Sequence, residues 1–486
     1  MTRTIMWFRR DLRLADNPAL SAAVEAGEVI PAFVIDPRLL QSERVGEKRV
    51  AWLVANLAAL DESLRERGSR LIVRRGDPPA MLGQLAHETR AQRLVFNVDL
   101  SPYARRRDRR VSLELERNGL TVEAFDDVSL HHPEDVVTMT GRPYQVFTAF
   151  KRAWLALPKP AMEDTGKIPD RLPLTIPAAD SLPIDFGGAP IELPPAGERA
   201  AIDRLNDFLE EMIFGYGAGR NLLDRAGTSG LSPYLRYGAL SIRQAYWGAR
   251  AAIELAEDPA GRAGAESWLN ELIWREFYQA VLYHFPHTID EPLREQFANF
   301  EWLNDGESFA AWCEGRTGYP VVDAAMRRLN ATGWLHNRAR LIVASFLTKD
   351  LLIDWRKGER YFMQQLIDGD SASNVGGWQW AAGVGADAQP FFRVFNPTRQ
   401  GQRFDPDGVF VKQWLPELSG VPIELVHEPW KLSASDQRKY GVIIGRDYPA
   451  PIVDHAFSRD RALRHYRQKS SAVSVRNKVG MLTRKA

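Results

Sequence analysis

Over its first 130 residues the chain alternates between short apolar runs and longer amphipathic stretches. The runs TIMWF, VIPAFVID, SRLIVRRG, RLVFNVDL and LTVEAFDD have strand character. Between them, NPALSAAVEAG, RVAWLVANLAALDESLRERG and PPAMLGQLAHETRA read as amphipathic helices. This alternation predicts an α/β domain over 1–130, with a five-stranded parallel sheet covered by helices on both faces. Residues 155–198 are proline-rich, which excludes a helix interior or a central strand. They read as part of a long connector, 131–200, lying over the surface. From about residue 200 the pattern is helical, as in AAIDRLNDFLEEM, GAESWLNELIWREFYQAVLYHF, PVVDAAMRRLN and HNRARLIVASFLTKDLLIDW. An all-α domain is therefore predicted over 201–465, followed by a basic, disordered tail over 466–486. Within the helical half, 368–395 holds many glycines for a helix and many aromatics for a surface loop. It reads as an irregular connection.

The α/β part resembles a Rossmann-like domain, but no G-x-G-x-x-G follows its first strand, so the dinucleotide fingerprint is absent. A ligand could still sit at the carboxyl ends of its strands. The 486 residues are 45% hydrophobic and 26% charged, ordinary for a globular protein. No apolar run approaches the ~20 residues that span a bilayer. The amino terminus, MTRTIMWFRRDLR, becomes charged before a signal-peptide core could form. One cysteine, Cys313, excludes an internal disulfide framework and points to a cytoplasmic location. Its surroundings, AAWCEGR, show no activation of a nucleophile. The net charge of +1 decides nothing about nucleic acid. Arginine is locally dense at 103–110, at 338–340 and from Arg464 onward, the first of these reading as a solvated helix face. Most of the 14 tryptophans follow residue 240.

In SWLNELIWREFY, helical spacing puts Trp268, Glu271 and Arg275 on one face, flanked by Trp274 and Tyr278. Taken alone, this segment is most simply a surface ion pair beside core aromatics. In WLHNRARLIVASFL, Asn337, Arg338 and Arg340 fall near a helix start, where arginine opposes the dipole unless an anion is near. His336 reads as a structural histidine. No second His or Cys stands at ligand spacing, so no metal is expected. Asp368 and Asp370, in DGDSASN, could pair with Arg340 or accept hydrogen bonds from ribose or ring N–H groups. The glycines after them allow close approach to a flat ligand. GTSGLSPYLRYG, at 227–238, offers hydroxyls and backbone N–H groups to a phosphate. Together these describe a pocket for a large, flat, phosphate-bearing cofactor.

The segments WFRRDLRLADNPAL, GTSGLSPYLRYG, WLNELIWREFY, GRTGYPVVDAAMRRLNATGWLHNRAR, DLLIDWRKGERYF and GGWQWAAGVGADAQPFFRVFNP resemble the DNA photolyase/cryptochrome family. The likeness runs from residue 3 to about 460 and is strongest to bacterial class I cyclobutane pyrimidine dimer photolyases. The resemblance implies a Rossmann-like domain, a long linker and a helical FAD domain. It implies light-driven repair of dimers by electron transfer from reduced FAD, with UV-damaged DNA as partner and a monomeric protein. By matching motifs, Tyr216, Thr228, Ser229, Gly230, Leu231 and Ser232 would hold the FAD phosphates and ribose. Trp268, Arg275, Arg340, Asp368 and Asp370 would line the flavin, and Asn374 would face its N5. Plant cryptochromes usually carry an acid at that last position. Trp378, Trp355 and Trp302 match an electron-transfer chain that runs from flavin to surface. Trp274 and Trp380 match the walls of the lesion pocket, and Glu271 a hydrogen-bonding partner of the flipped bases. Arg220, Asn337, Arg338 and Gln400 match positions that contact DNA or the lesion.

Two departures matter. Leu341 stands where many dimer photolyases have Met, and neither it nor Asn337 is the His usual in (6-4) photolyases. Ala104 replaces the Glu of folate-binding relatives, while LSPYARRRD resembles deazaflavin-binding ones. A second, antenna chromophore would therefore be a deazaflavin, with Arg49 and Asp99 as candidate contacts, or the site is empty. The alternative function is a cryptochrome-like photoreceptor without repair activity. It would use the same flavin and tryptophans, but retention of Glu271, Trp274 and Trp380 favours repair.

Overall fold

Five parallel strands form one sheet in the order β3-β2-β1-β4-β5: β1 (Thr2–Phe8), β2 (Gly27–Ile35), β3 (Ile72–Arg75), β4 (Arg93–Asn97) and β5 (Thr121–Phe125). The computed structural model describes residues 2–162, 168–172, 180–185 and 191–482, with side chains to 469 in the last helix. The central strands are continuous apolar runs because helices cover both faces. Ile5, Trp7, Ile30, Val34, Leu94 and Phe96 pack there with Leu82, Leu85, Val111 and Leu115 of the covering helices. Pro31 is tolerated inside β2 because the short β3 begins its pairing one residue later, at Ala32. The outer edge of β3 is covered by the connector: Val73 N–H donates to Ser181 Oγ at 3.0 Å, and Leu182 N–H donates to the Val73 carbonyl at 2.9 Å. The connector also contains the helix Phe147–Ala156.

The chain packs as two compact units: Met1–Ala218 with Thr228–Pro286 and Met363–Ala372, and Gly219–Gly227 with His287–Phe362 and Ser373–Ala486. This differs from the boundaries predicted at 130 and 200. Composition marks where strands give way to helices, not which surface each helix packs on. The helices Ile242–Leu255 and Pro259–His284 belong with the sheet because buried polar groups bind them there. Asp127 accepts from Arg13 Nη2 at 2.5 Å and from Arg243 Nη2 at 2.6 Å, and Arg243 Nε also donates to Asp16 at 2.9 Å. All four side chains are buried. Burial alone would raise the Asp127 carboxyl, but the two guanidinium groups outweigh it and hold its pKa low. Glu276, buried in the helix Pro259–His284, accepts from Leu130 N–H and Trp154 Nε1, each at 2.7 Å. Burial still raises its pKa.

The second unit is helical. Its buried Asp323 accepts from Thr317 N–H, Thr317 Oγ1, Gly318 N–H and the Tyr448 hydroxyl at 2.6–2.9 Å, which fixes the GRTGYP turn. Two expectations are corrected here. The glycine-rich stretch is not an irregular connection at its start, because Ser371–Ala382 is an α-helix. Glycine costs about 1 kcal/mol in a helix, and burial of Val375, Trp378, Ala381 and Ala382 offsets that. Nor is the tail disordered from 466: the helix His455–Leu482 runs through it. Ala462, Leu463 and Tyr466 are buried at helical spacing, with Tyr466 against Phe297, Phe300 and Phe391. Residues 483–486 lie outside the described residues. Among the described residues no helix is long and apolar enough to cross a membrane.

Removing the shared acceptor with Asp127→Ala leaves Arg13 and Arg243 buried without it. It should lower stability by about 3–5 kcal/mol in urea titrations, with Asp127→Asn less damaging.

Candidate functional site

In the first unit the helix Pro259–His284 carries Trp268, Glu271, Trp274 and Arg275. The ring of Phe208 lies 4.9 Å from buried Trp268 and 5.9 Å from buried Tyr216. Arg275 donates to the carbonyls of Val128 at 2.7 Å and Leu235 at 3.5 Å. Burial lowers its pKa, opposed by the charge of Asp370. Glu271 and Trp274 are half-buried, and Trp274 stacks on Phe147.

The loop Thr228–Ser232 turns through Gly230 at φ 67°, a left-handed conformation that favours glycine. Arg204 takes its carbonyls, those of Ser229 at 2.6 Å and Thr228 at 3.1 Å. Ser232 Oγ donates to Asp368 at 2.6 Å. The turn bearing Asp368 and Asp370 is clamped by three guanidinium groups. Arg10 binds Asp370 at 2.7 Å, and Arg236 and Arg49 donate to the Gly369 carbonyl at 2.7 and 3.0 Å. A methyl group at Gly369 would lie 2.0 Å from Arg49 Nη1, so a larger residue there would displace that guanidinium group.

In the second unit, residues 378 and 380 are two apart on one helix, hence roughly 200° around it. Trp378 is buried and Trp380 half-buried, so the two indoles face different surroundings. Gln379 between them is held on both ends. Its Nε2 donates to the carbonyls of Thr288 and Glu291 at 2.8 Å, and its Oε1 accepts from Leu293 N–H at 3.0 Å. Trp378 meets Phe362 edge-on at 5.1 Å and Trp312 at 6.0 Å. Its ring also lies on Gly358, one turn after buried Trp355 in the helix Trp355–Gln365. Trp302 is half-buried, 4.4 Å from Phe300. Asn374 Nδ2 donates to the backbone carbonyl and the carboxylate of buried Glu359 at 3.0 and 3.1 Å. A carboxylate only accepts, so the amide nitrogen faces Glu359 and the Asn374 oxygen is turned away as an acceptor.

The same unit gathers arginines around His336. Arg338 donates to Asn221 Oδ1 at 2.6 and 3.1 Å and lies 4.4 Å over the Phe404 ring. Burial, then Arg220 and Arg403, lower its pKa. His336 is the N-cap of the helix Asn337–Ser345, its Nδ1 accepting from Arg338 N–H at 3.0 Å. Burial, then the charges of Arg328, Arg338, Arg340 and Arg220, push its pKa down to about 4. Arg340 donates to the Leu335 carbonyl at 2.8 Å, Asn337 is exposed, and Gln400 Oε1 is buried without a hydrogen-bond partner. Like charges gathered at a helix start are unfavourable, and an anion there would relieve them.

Residues 4–167 match a family model described as DNA photolyase, and residues 268–468 one described as the FAD binding domain of DNA photolyase. A deoxyribodipyrimidine photo-lyase from Synechococcus sp. is 42% identical, over 97% of this chain and 97% of that protein. The chain belongs to the DNA photolyase family. A class III photolyase structure from Agrobacterium tumefaciens superposes with a TM-score of 0.91 at 39% identity, covering 97% of this chain and 98% of the other. A Synechocystis cryptochrome structure does so with a TM-score of 0.86 at 31% identity, covering 96% and 99%. Fold alone therefore does not separate photolyases from cryptochromes.

Sequence reasoning missed the residues that position the predicted ones: Phe147, Arg204, Trp312, Gly358 and Glu359. Gly358 and Glu359 stand one turn after Trp355, on the same helical face, but that spacing alone does not reveal their partners. The antenna candidates are both engaged within the protein. Arg49 holds Gly369, and Asp99 faces Arg10 at 3.4 Å. Burial alone would raise the Asp99 carboxyl, but Arg10, Arg107 and the Ser101 N–H outweigh it and bring it to about 2. Among the described residues no group of three or more His, Cys, Asp or Glu side chains could hold a metal.

A methyl group at Gly358 would lie 2.2 Å from Trp378 Cη2. Gly358→Ala should cost about 1–3 kcal/mol through overpacking and change the near-UV circular dichroism of the indoles. The neutral His336 cap stabilises the fold fully above its unfolded pKa of about 6.5. That contribution is lost as pH falls toward about 4, where the folded form also takes up the proton. His336→Asn should remove this part of the pH dependence in denaturation curves compared with wild type.

Proposed function

We propose that this photolyase splits cyclobutane pyrimidine dimers in DNA under light, as a deoxyribodipyrimidine photo-lyase with FAD as its cofactor. The observation that carries the reading is the helix Ser371–Ala382, which combines a buried indole at Trp378, a second indole facing elsewhere at Trp380, and an oriented amide at Asn374. Bound and reduced, FAD supplies on illumination an electron that opens the cyclobutane ring and is then returned.

The chain's own groups bind, orient and insulate. Tyr216, Thr228, Ser229, Gly230, Leu231 and Ser232 hold the FAD phosphates and ribose. Trp268, Arg275, Arg340, Asp368 and Asp370 line the ring system. The Asn374 oxygen suits an N–H at flavin N5, the donor present in the reduced form, whereas a protonatable acid there would favour other states. Trp378, Trp355 and Trp302 pass electrons inward from the surface to reduce oxidised cofactor.

Arg220, Asn337, Arg338 and Gln400 contact DNA. A dimer stacks and pairs poorly, so its extrusion costs only a few kcal/mol. Trp274 and Trp380 wall the extruded dimer, and Glu271 hydrogen-bonds its bases. Fixed polar groups of that kind stabilise developing charge in a dry site. The photoreceptor alternative needs neither these walls nor Glu271, and their presence favours repair. The Leu341 side chain stands in place of Met at nearly equal volume, a change expected to affect packing more than chemistry. The finer reading adds a deazaflavin antenna in preference to folate, a monomeric state and a cytoplasmic location.

Two measurements test the assignment. Trp378→Phe should abolish photoreduction of oxidised flavin, while the chemically reduced variant still repairs dimers in a single turnover. Loss of repair in that reduced variant would contradict the division of roles. Arg338→Gln should weaken binding to dimer and undamaged duplex alike and reduce the salt-dependence slope by about 1, read from filter binding at several salt concentrations.

A further inference from the structure

The pair Phe147–Trp274 has ring centroids 3.7 Å apart and planes 7° from parallel. Most other aromatic contacts of these two rings and their neighbours are edge-on or tilted: Phe147–Phe277, Trp274–Phe277, Trp274–Tyr278 and Phe150–Phe277. Two electron-rich rings prefer offset or edge-on geometry over a close face-to-face stack. Something must therefore hold this one in place. Phe147, Phe150 and Trp154 form the buried stripe of the helix Phe147–Ala156, at spacings of three and four. Phe150 meets Phe277 at 5.3 Å, and Trp154 Nε1 donates to Glu276 at 2.7 Å. The helix is thus pinned to Pro259–His284 at two points beyond Phe147, and Phe147 has no freedom to leave the indole.

An indole has two faces. Phe147 covers one of them and sets the plane of the other. We infer that Phe147 is a positioning residue for lesion recognition: it presets the Trp274 ring so that an extruded pyrimidine dimer stacks on the opposite face without first ordering the indole. This rests on the reading of Trp274 as a wall of the dimer pocket. Fixing the wall beforehand removes an ordering cost from binding. Phe147 therefore acts on the preference for damaged DNA and not on general affinity for duplex, which phosphate contacts govern.

The test measures Kd in the dark for a duplex with one thymine dimer and for the same undamaged duplex, using FAD-loaded protein. Wild type is compared with Phe147→Leu, Phe147→Tyr, Trp274→Leu and the double variant Phe147→Leu/Trp274→Leu. Ordering one side chain on binding costs about 0.5–1.5 kcal/mol, so Phe147→Leu should weaken dimer binding by about 2- to 12-fold. Binding to undamaged duplex and photoreduction of the flavin should be unchanged. Phe147→Tyr keeps the stack and should keep the preference, and the Phe147→Leu effect should vanish once Trp274 is Leu. Equal dimer preference in wild type and Phe147→Leu overturns the inference. So does an equal loss on both duplexes, or a loss that persists without Trp274. If Phe147→Leu fails to retain FAD, the Tyr variant decides: loss of preference there overturns the inference. Wild-type protein with no preference for the dimer would instead refute the pocket reading itself.

Discussion

One carboxylate shared by two guanidinium groups fixes the first unit. Asp127 follows β5, Arg13 follows β1, and Arg243 lies in the helix Ile242–Leu255, so the Asp127 contacts tie two strand ends to a helix. The charges are buried, and removing Asp127 would leave Arg13 without its carboxylate partner and Arg243 with Asp16 alone. The strand ends that this network holds are where an open α/β sheet places its ligands. Glu276 repeats the device with neutral donors, binding Leu130 and Trp154 to the helix that also carries Trp268, Glu271, Trp274 and Arg275.

The two units prepare their functional groups differently. In the first, guanidinium groups close on backbone carbonyls: Arg204 on the Thr228–Ser229 loop, and Arg49 and Arg236 on Gly369. Polar loops and acidic turns are thereby held rigid before any ligand arrives. In the second unit, close packing does most of this. Gly358 lets the Trp378 indole lie against a helix backbone, and Glu359 turns the Asn374 amide so that its oxygen is presented as an acceptor. Around His336 the arginines repel one another, and burial, reinforced by their field, keeps that imidazole neutral. A polyanion removes the repulsion.

Sequence periodicity located all five strands, because each is a compact apolar run bounded by turn residues. It failed at the glycine-rich helix, where burial of Trp378 and its neighbours overrides local propensity, and at the last helix, whose buried stripe of Ala462, Leu463 and Tyr466 is short. The unit boundaries were illegible for a further reason: long-range ion pairs such as Arg243–Asp16 span 227 residues and leave no local pattern. The motif residues were found through family likeness. Their supports, Phe147 and Glu359, were not, because a phenylalanine in a linker and a glutamate in a charged helix look ordinary until their partners are known.

The central claim is light-driven repair of the cyclobutane dimer. The most direct measurement is restoration of a defined thymine-dimer oligonucleotide by reduced, FAD-loaded protein under near-UV and blue light, with a dark control and a (6-4) oligonucleotide in parallel. The account predicts light-dependent repair of the dimer alone. Full flavin loading with no repair of the dimer, or repair of the (6-4) substrate in its place, would contradict it.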